Sequence, residues 1–114
     1  DNQYFILECF ERIKKEININ DIDMYDMFCF RMYYVIVTTA ISGYFSPTNK
    51  QSFKDVCKSF ENYLNQSLVK ETINNKKSFK KLDIQRKIII ILIKLRLYRL
   101  IKILANKRMK SKQT

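Results

Sequence analysis

The chain has 114 residues, enough for one small domain with a modest core and too few for a two-domain enzyme. Its formal charge of +11 comes from 22 Lys and Arg against 11 Asp and Glu, in a composition with one Gly, one Pro and no His. The missing imidazole removes the commonest general base and metal ligand, and the scarcity of turn residues argues against phosphate-binding loops and strand-rich folds.

Charge is segregated along the chain. From Lys70 onward there are 15 Lys and Arg against two acids, Glu71 and Asp83, whereas residues 1–69 carry seven cations and nine acids. Cys9, Cys29 and Cys57 are isolated in apolar surroundings with no CxxC pair. That pattern points to reduced, buried thiols rather than a disulfide framework or a zinc site. Asp1 opens the chain and residues 3–10 already read as helix, so a longer protein is expected to continue on the N-terminal side.

In chain order, Ile6, Cys9, Phe10, Ile13 and Ile17 recur at helical spacing with charged residues mostly opposite. This predicts an amphipathic helix with one buried stripe, ended by Asn18-Ile19-Asn20. Asp21 or Asp23 is placed to cap the second helix. From Met27 to Phe45 that helix is apolar nearly all round, with Arg31 its only charge. Nineteen such residues could span a bilayer or form a central core helix. Arg31 inside the span, together with Thr38, Thr39 and Ser42, favours the core helix. Gly43 suits a left-handed stop, and Pro47 suits the first turn of the next helix.

Phe53, Val56, Cys57, Phe60 and Leu64 mark a third amphipathic helix expected to end near Leu68. Residues 70–82 read as a polar linker. The fourth helix is expected from Asp83, with Ile89, Ile90, Ile93, Leu97, Leu100, Ile101, Ile103 and Leu104 on one half of its wheel and Lys87, Lys94, Arg96, Arg99 and Lys102 on the other half or its edges. Ile88, Ile91, Leu92, Leu95 and Tyr98 interrupt the charged side, so the helix is apolar beyond one stripe. Four cations between Lys94 and Lys102 argue against a membrane span and for a helix lying in an interface. A basic, frayed end is expected over 107–112. The fold class is therefore all-α with about four helices: a helical core over 1–69, the linker, and a basic amphipathic helix and tail over 83–114.

Few residues suggest chemistry. Asp21-Ile22-Asp23 has the DxD form that can hold a divalent ion, but it opens a helix with no strand before it, and capping is the favoured role. There is no Ser/His/Asp or Cys/His set and no Gly-rich loop, so this chain alone is not expected to catalyse or to hold a cofactor. Three partners fit the basic tail: solvent, nucleic acid or an anionic membrane. The cations are interleaved with aliphatics rather than with base-stacking aromatics, which disfavours nucleic acid. An anionic membrane surface suits both the apolar and the basic half of the pattern. The residues expected to make that attachment, or to bind a partner, are Lys94, Arg96, Leu97, Tyr98, Arg99, Ile101, Lys102, Lys107 and Arg108.

The order of elements also resembles the C-terminal helical region of bacterial family 2 glycosyltransferases of capsule and lipopolysaccharide synthesis. The stretches that carry the resemblance are FILECFERIK (5–14), DMYDMFCFRMYY (23–34), FKDVCKSFENY (53–63), LDIQRKIIIILIK (82–94) and LRLYRLIKIL (95–104). The resemblance implies a parent enzyme that transfers a sugar from a nucleotide donor, with a divalent metal and all catalytic residues upstream of Asp1. It further implies that this part packs on the catalytic domain and attaches to the cytoplasmic face of the membrane. The alternative is a complete small helical interaction protein of viral or plasmid type.

Overall fold

Among the described residues the chain forms seven α-helices rather than about four, two of them overlapping the segment expected as a polar linker. A computed structural model describes residues 2–17 and 21–113, with side chains over 4–17 and 21–108. The helices are α1 (Asn2–Glu16), α2 (Ile22–Thr38), α3 (Phe53–Leu64), α4 (Ser67–Ile73), α5 (Lys76–Lys80), α6 (Ile84–Lys94) and α7 (Tyr98–Gln113). A six-residue π-helical stretch, Thr39–Tyr44, prolongs α2. No strand occurs among the described residues. The helix end expected at 18–20 lies outside them.

The second helix is the core helix. Phe28, Cys29, Met32, Tyr33, Ile36 and Val37 of α2, and Ala40, Ile41 and Tyr44 of the π-helical stretch, are all buried. Among the described residues no helix is long and apolar enough to cross a membrane. Asp21 caps α2 by accepting a hydrogen bond from the Met24 amide at 3.1 Å, as its short carboxylate allows. At the other end Gly43 takes no left-handed conformation. The helix widens instead, with the Phe45 amide donating to the Ala40 carbonyl five residues back at 2.9 Å. Side chains from elsewhere then receive the last carbonyls: Asn49 Nδ2 donates to Tyr44 O at 2.9 Å, and Lys102 Nζ to Phe45 O and Ser46 O at 3.3 Å each. An ammonium at a helix C-terminus does what a left-handed glycine would otherwise do.

α4, α5 and α6 pack on α2, while α3 and α7 pack on the π-helical stretch. Ser52, not Pro47, begins α3, its hydroxyl accepting from the Asp55 amide at 3.2 Å. α3 stops at Leu64, short of Leu68. The segment expected as a polar linker is mostly helical. Within it Thr72 and Ser78 are fully buried and Leu82 nearly so, because α4 and α5 supply the wall that α2 needs. Tyr33 explains their position: its hydroxyl donates to the carbonyls of Ile73 and Asn75 at 3.1 Å, where α4 ends and α5 begins. Ser78 Oγ donates to Asp26 O at 2.7 Å. A largely apolar helix accepts polar neighbours wherever their hydrogen bonds are completed.

α1 covers α2 only in part. Leu7 is buried and Phe10 packs on Phe28 with ring centroids 5.7 Å apart, whereas Ile6 and Ile13, expected inside, are exposed. A polar clasp completes the contact. Glu71 of α4 is ion-paired with Lys14 of α1 and accepts the Tyr25 hydroxyl. Burial pushes the Glu71 carboxyl up, but the Lys14 and Tyr25 hydrogen bonds outweigh it and hold the group below the ordinary Glu range.

A pair of neighbours on α6 tests the packing. Ile90 is fully buried, whereas Ile91 is 45% exposed. Ile90→Ala should cost about 2–5 kcal/mol of unfolding free energy and Ile91→Ala no more than about 0.5 kcal/mol, read by urea denaturation; equal losses would contradict the placement of α6. The Glu71 clasp sets an acid limit. A depressed folded pKa means that its stabilisation is present above the unfolded Glu value and is lost as pH falls through the folded one. Urea midpoints followed from neutral pH into acid should fall further for the natural protein than for Glu71→Gln.

Candidate functional site

The expected single fourth helix breaks between α6 and α7, and the break decides which tail residues meet solvent. Arg96 adopts a left-handed conformation with φ 59°. Around it the Leu97 amide donates to Leu92 O at 3.0 Å and the Arg96 amide to Ile93 O at 3.1 Å. That pair of bonds is the Schellman motif, built here without glycine. A non-glycine residue in this region costs about 1–2 kcal/mol. Three contacts, two of Arg96 and one of Tyr98, accompany it. Arg96 Nε pairs with Glu61 at 3.0 Å and Nη1 donates to Ile93 O at 3.0 Å. The hydroxyl of Tyr98 donates to the same Glu61 carboxylate.

The left-handed residue also shifts the helical phase by one. A continuous wheel starting from the buried Ile89, Ile90 and Ile93 would bury Leu97, Leu100, Ile101 and Leu104 next. Ile101 stays buried, but Tyr98 and Ala105 take the inward positions expected for Leu97 and Leu104. Tyr98 stacks on Phe45 with centroids 5.5 Å apart and meets Phe60 edge-on at 5.7 Å. Burial, then the bond to Glu61, pushes its phenol well above the usual tyrosine range. Tyr98 and Ile101 are thus core residues, a correction to their expected role in attachment. Lys102 is corrected likewise, because its ammonium is spent on the carbonyls that close the π-helical stretch. The expected fray over 107–112 is replaced by helix to Gln113.

The other six expected site residues are exposed: Lys94, Arg96, Leu97, Arg99, Lys107 and Arg108. Lys94 Nζ lies 5.1 Å from the Phe79 ring centroid and the Arg99 guanidinium 5.9 Å from that of Phe53, so both stems lie over aromatic faces. Arg96 is tied to Glu61 and contributes less free charge.

The continuous wheel sets Ile88, Ile91 and Leu95 among the cations, but it does not single out Ile84 or make any of the four an attachment residue. Ile84, Ile88, Ile91 and Leu95 form one exposed line on α6, with Leu95 62% and Ile84 75% accessible. Their spacing of four, three and four residues is a helical stripe in its own right. Leu97, Leu100 and Ile103 continue the exposed aliphatics past the break. Ile88 and Leu104 line a shallow cleft of about 400 Å³ with Lys107 and Arg108, which brings the α6 stripe and the α7 cations to one surface. From Ile84 to the end of the chain no acidic residue opposes them.

Asp21 and Asp23 stay at the start of α2, Asp21 as its cap. Asp83 occupies the corresponding position of α6, but its carboxylate pairs with Arg86 at 2.8 Å instead of capping the helix. Among the described residues no group of three or more Cys, Asp or Glu is placed to hold a metal ion. Cys29 is fully buried, which pushes its thiol up and makes it a packing residue. Comparison with known protein families, curated proteins and solved structures gives no match.

Glu61 is the residue that holds the break. Glu61→Ala removes the partner of both Arg96 and Tyr98, and should lower unfolding free energy by about 1–3 kcal/mol in urea. A loss below about 0.5 kcal/mol would show that the phase shift stands without it.

Proposed function

We propose that this chain is the helical region of a bacterial glycosyltransferase of family 2 type, acting in cell-surface polysaccharide synthesis. In this reading it contributes no catalytic group. It packs against an upstream catalytic domain that holds the nucleotide-sugar donor and its divalent metal, and it keeps that domain on the cytoplasmic face of the membrane. The observation that carries the attachment is the outer surface of α6 and α7, where exposed Ile84, Ile88, Ile91, Leu95, Leu100 and Ile103 are interleaved with Lys94, Arg99, Lys107 and Arg108 and no acid. Apolar stripes of this kind enter the boundary between headgroups and acyl chains, while Lys and Arg stems reach outward to anionic lipid. The resemblance of the ordered elements supports the parent enzyme.

Vesicle sedimentation tests the attachment. The chain should bind phosphatidylglycerol-containing vesicles in low salt, lose them as salt rises, and ignore neutral phosphatidylcholine. Each cation near the surface contributes about 1 kcal/mol, so exchanging Lys94, Arg99 and Lys107 together for Gln should weaken binding roughly a hundredfold. Equal, negligible sedimentation with both vesicle types at low salt would contradict the attachment. Stronger, steeply salt-dependent retention on DNA or RNA would reassign the cations to nucleic acid. The reading frame upstream of Asp1 tests the parent: alternating strands and helices with a DxD after a strand support a glycosyltransferase. A stop codon and a close start would make the chain a complete helical interaction protein.

A further inference from the structure

Among the described residues one line of the central helix is only partly walled, and it carries a charge with no ion pair. Asp23, Met27, Phe30, Arg31, Tyr34 and Val35 recur along one face of α2 and line an open groove of about 800 Å³, closed on its flanks by Phe10 of α1 and by Lys81 after α5. That volume lies within the range of sites that enclose a small molecule. The walls are aromatic and aliphatic. Met27 is 62% exposed in the groove, although it stands in the most apolar stretch of the sequence.

Arg31 is the only formal charge between Asp26 and Lys50. Among the described residues it makes no ion pair, while three other cations have carboxylate partners. Lys81 is a second cation on the groove, also without a salt bridge there. The one opposing acid, Asp23, sits two helical turns from Arg31, in the first turn of α2 where the helix dipole already favours its charge. The Tyr34 ring is held by the Arg86 guanidinium, 4.0 Å from its centroid, so the aromatic wall is fixed in place.

We propose that this groove binds a single-chain phosphate amphiphile, with the phosphate on Arg31 and Lys81 and the chain along Phe10, Met27, Phe30 and Tyr34. A guanidinium fork matches phosphate oxygens two at a time, and an ammonium adds a point charge beside it. A groove lined by two cations and by apolar side chains complements a ligand with the same division. One helix face bounded on two sides accommodates one chain more readily than two. The site is separate from the outer surface of α6 and α7 and goes beyond the membrane attachment proposed above.

The test is isothermal titration of the full chain with decyl phosphate held below its micelle concentration. One molecule should bind per chain. Decanol and inorganic phosphate, each lacking half of the ligand, should bind at least tenfold more weakly. Arg31→Gln should weaken decyl phosphate at least tenfold with an unchanged circular dichroism spectrum and urea midpoint, as an exposed side chain allows. Leu100→Ser with Ile103→Ser, which impairs only the outer surface of α7, should leave the titration unaltered, so loss of vesicle binding and loss of groove binding are read separately. Equal affinity for decanol, an Arg31→Gln titration like that of the natural protein, or several molecules per chain would overturn the proposal. Tighter binding of monomeric dihexanoyl phosphatidate would overturn the single-chain occupant in favour of a two-chain phospholipid.

Discussion

The structure depends on the burial of one helix that has almost no polar face. α2 and its π-helical extension present Phe28, Met32, Tyr33, Ile36, Val37, Ile41 and Tyr44 in several directions, and burying such side chains contributes about 1.5–3 kcal/mol each. No single amphipathic partner can cover that circumference. The remaining chain is therefore divided into pieces, each short enough to lie along part of it. α4 and α5 seal one side through the Tyr33 hydroxyl, α6 another, and α3 with α7 enclose the widened end.

The same requirement shapes the tail. Phe45 and Phe60 offer an aromatic wall beside the end of the π-helical stretch, and Tyr98 completes it only if the chain reverses after α6. Reversal puts Arg96 in a left-handed conformation and slips the apolar register by one residue. Burial of Tyr98 and Ile101 outweighs the local backbone cost, with Glu61 holding both sides of the turn. The slip leaves Leu97, Leu100 and Ile103 outside, where they join the α6 stripe at the surface beside exposed Lys94 and Arg99. Lys102 is the exception, since it turns inward to close the π-helical stretch.

Much of this was legible in residue spacing. The all-helical class, the central place of the second helix, a cap at Asp21 or Asp23 and the exposed cations Lys94, Arg99, Lys107 and Arg108 follow from periodicity and charge. The break at Arg96 was not, because neither Gly nor Pro marks it and the contacts around it, Tyr98 on Phe45 and Arg96 on Glu61, join residues far apart in sequence. Residues 70–82 look polar because five Lys, Glu71, Asn74 and Asn75 crowd them, yet Thr72 and Ser78 among them are buried with their hydroxyls bonded to carbonyls of Leu68 and Asp26. Composition cannot distinguish a polar linker from a helix whose polar groups are satisfied internally. In α1, Ile6 and Ile13 fit the helical spacing, but the helix turns Leu7 and Phe10 to the core and leaves both isoleucines exposed.

The central claim is that α6 and α7 keep their inner faces on the core while their outer faces enter lipid. Spin-label depth measurement addresses it directly, with Cys9 and Cys57 replaced by serine and single labels placed at Ile91→Cys, Leu100→Cys and, on the exposed side of α3, Lys58→Cys. On anionic vesicles the labels at 91 and 100 should gain accessibility to oxygen and lose it to an aqueous nickel complex, while the label at 58 stays in water. Labels at 91 and 100 that remain as aqueous as the one at 58 would contradict a membrane-facing surface.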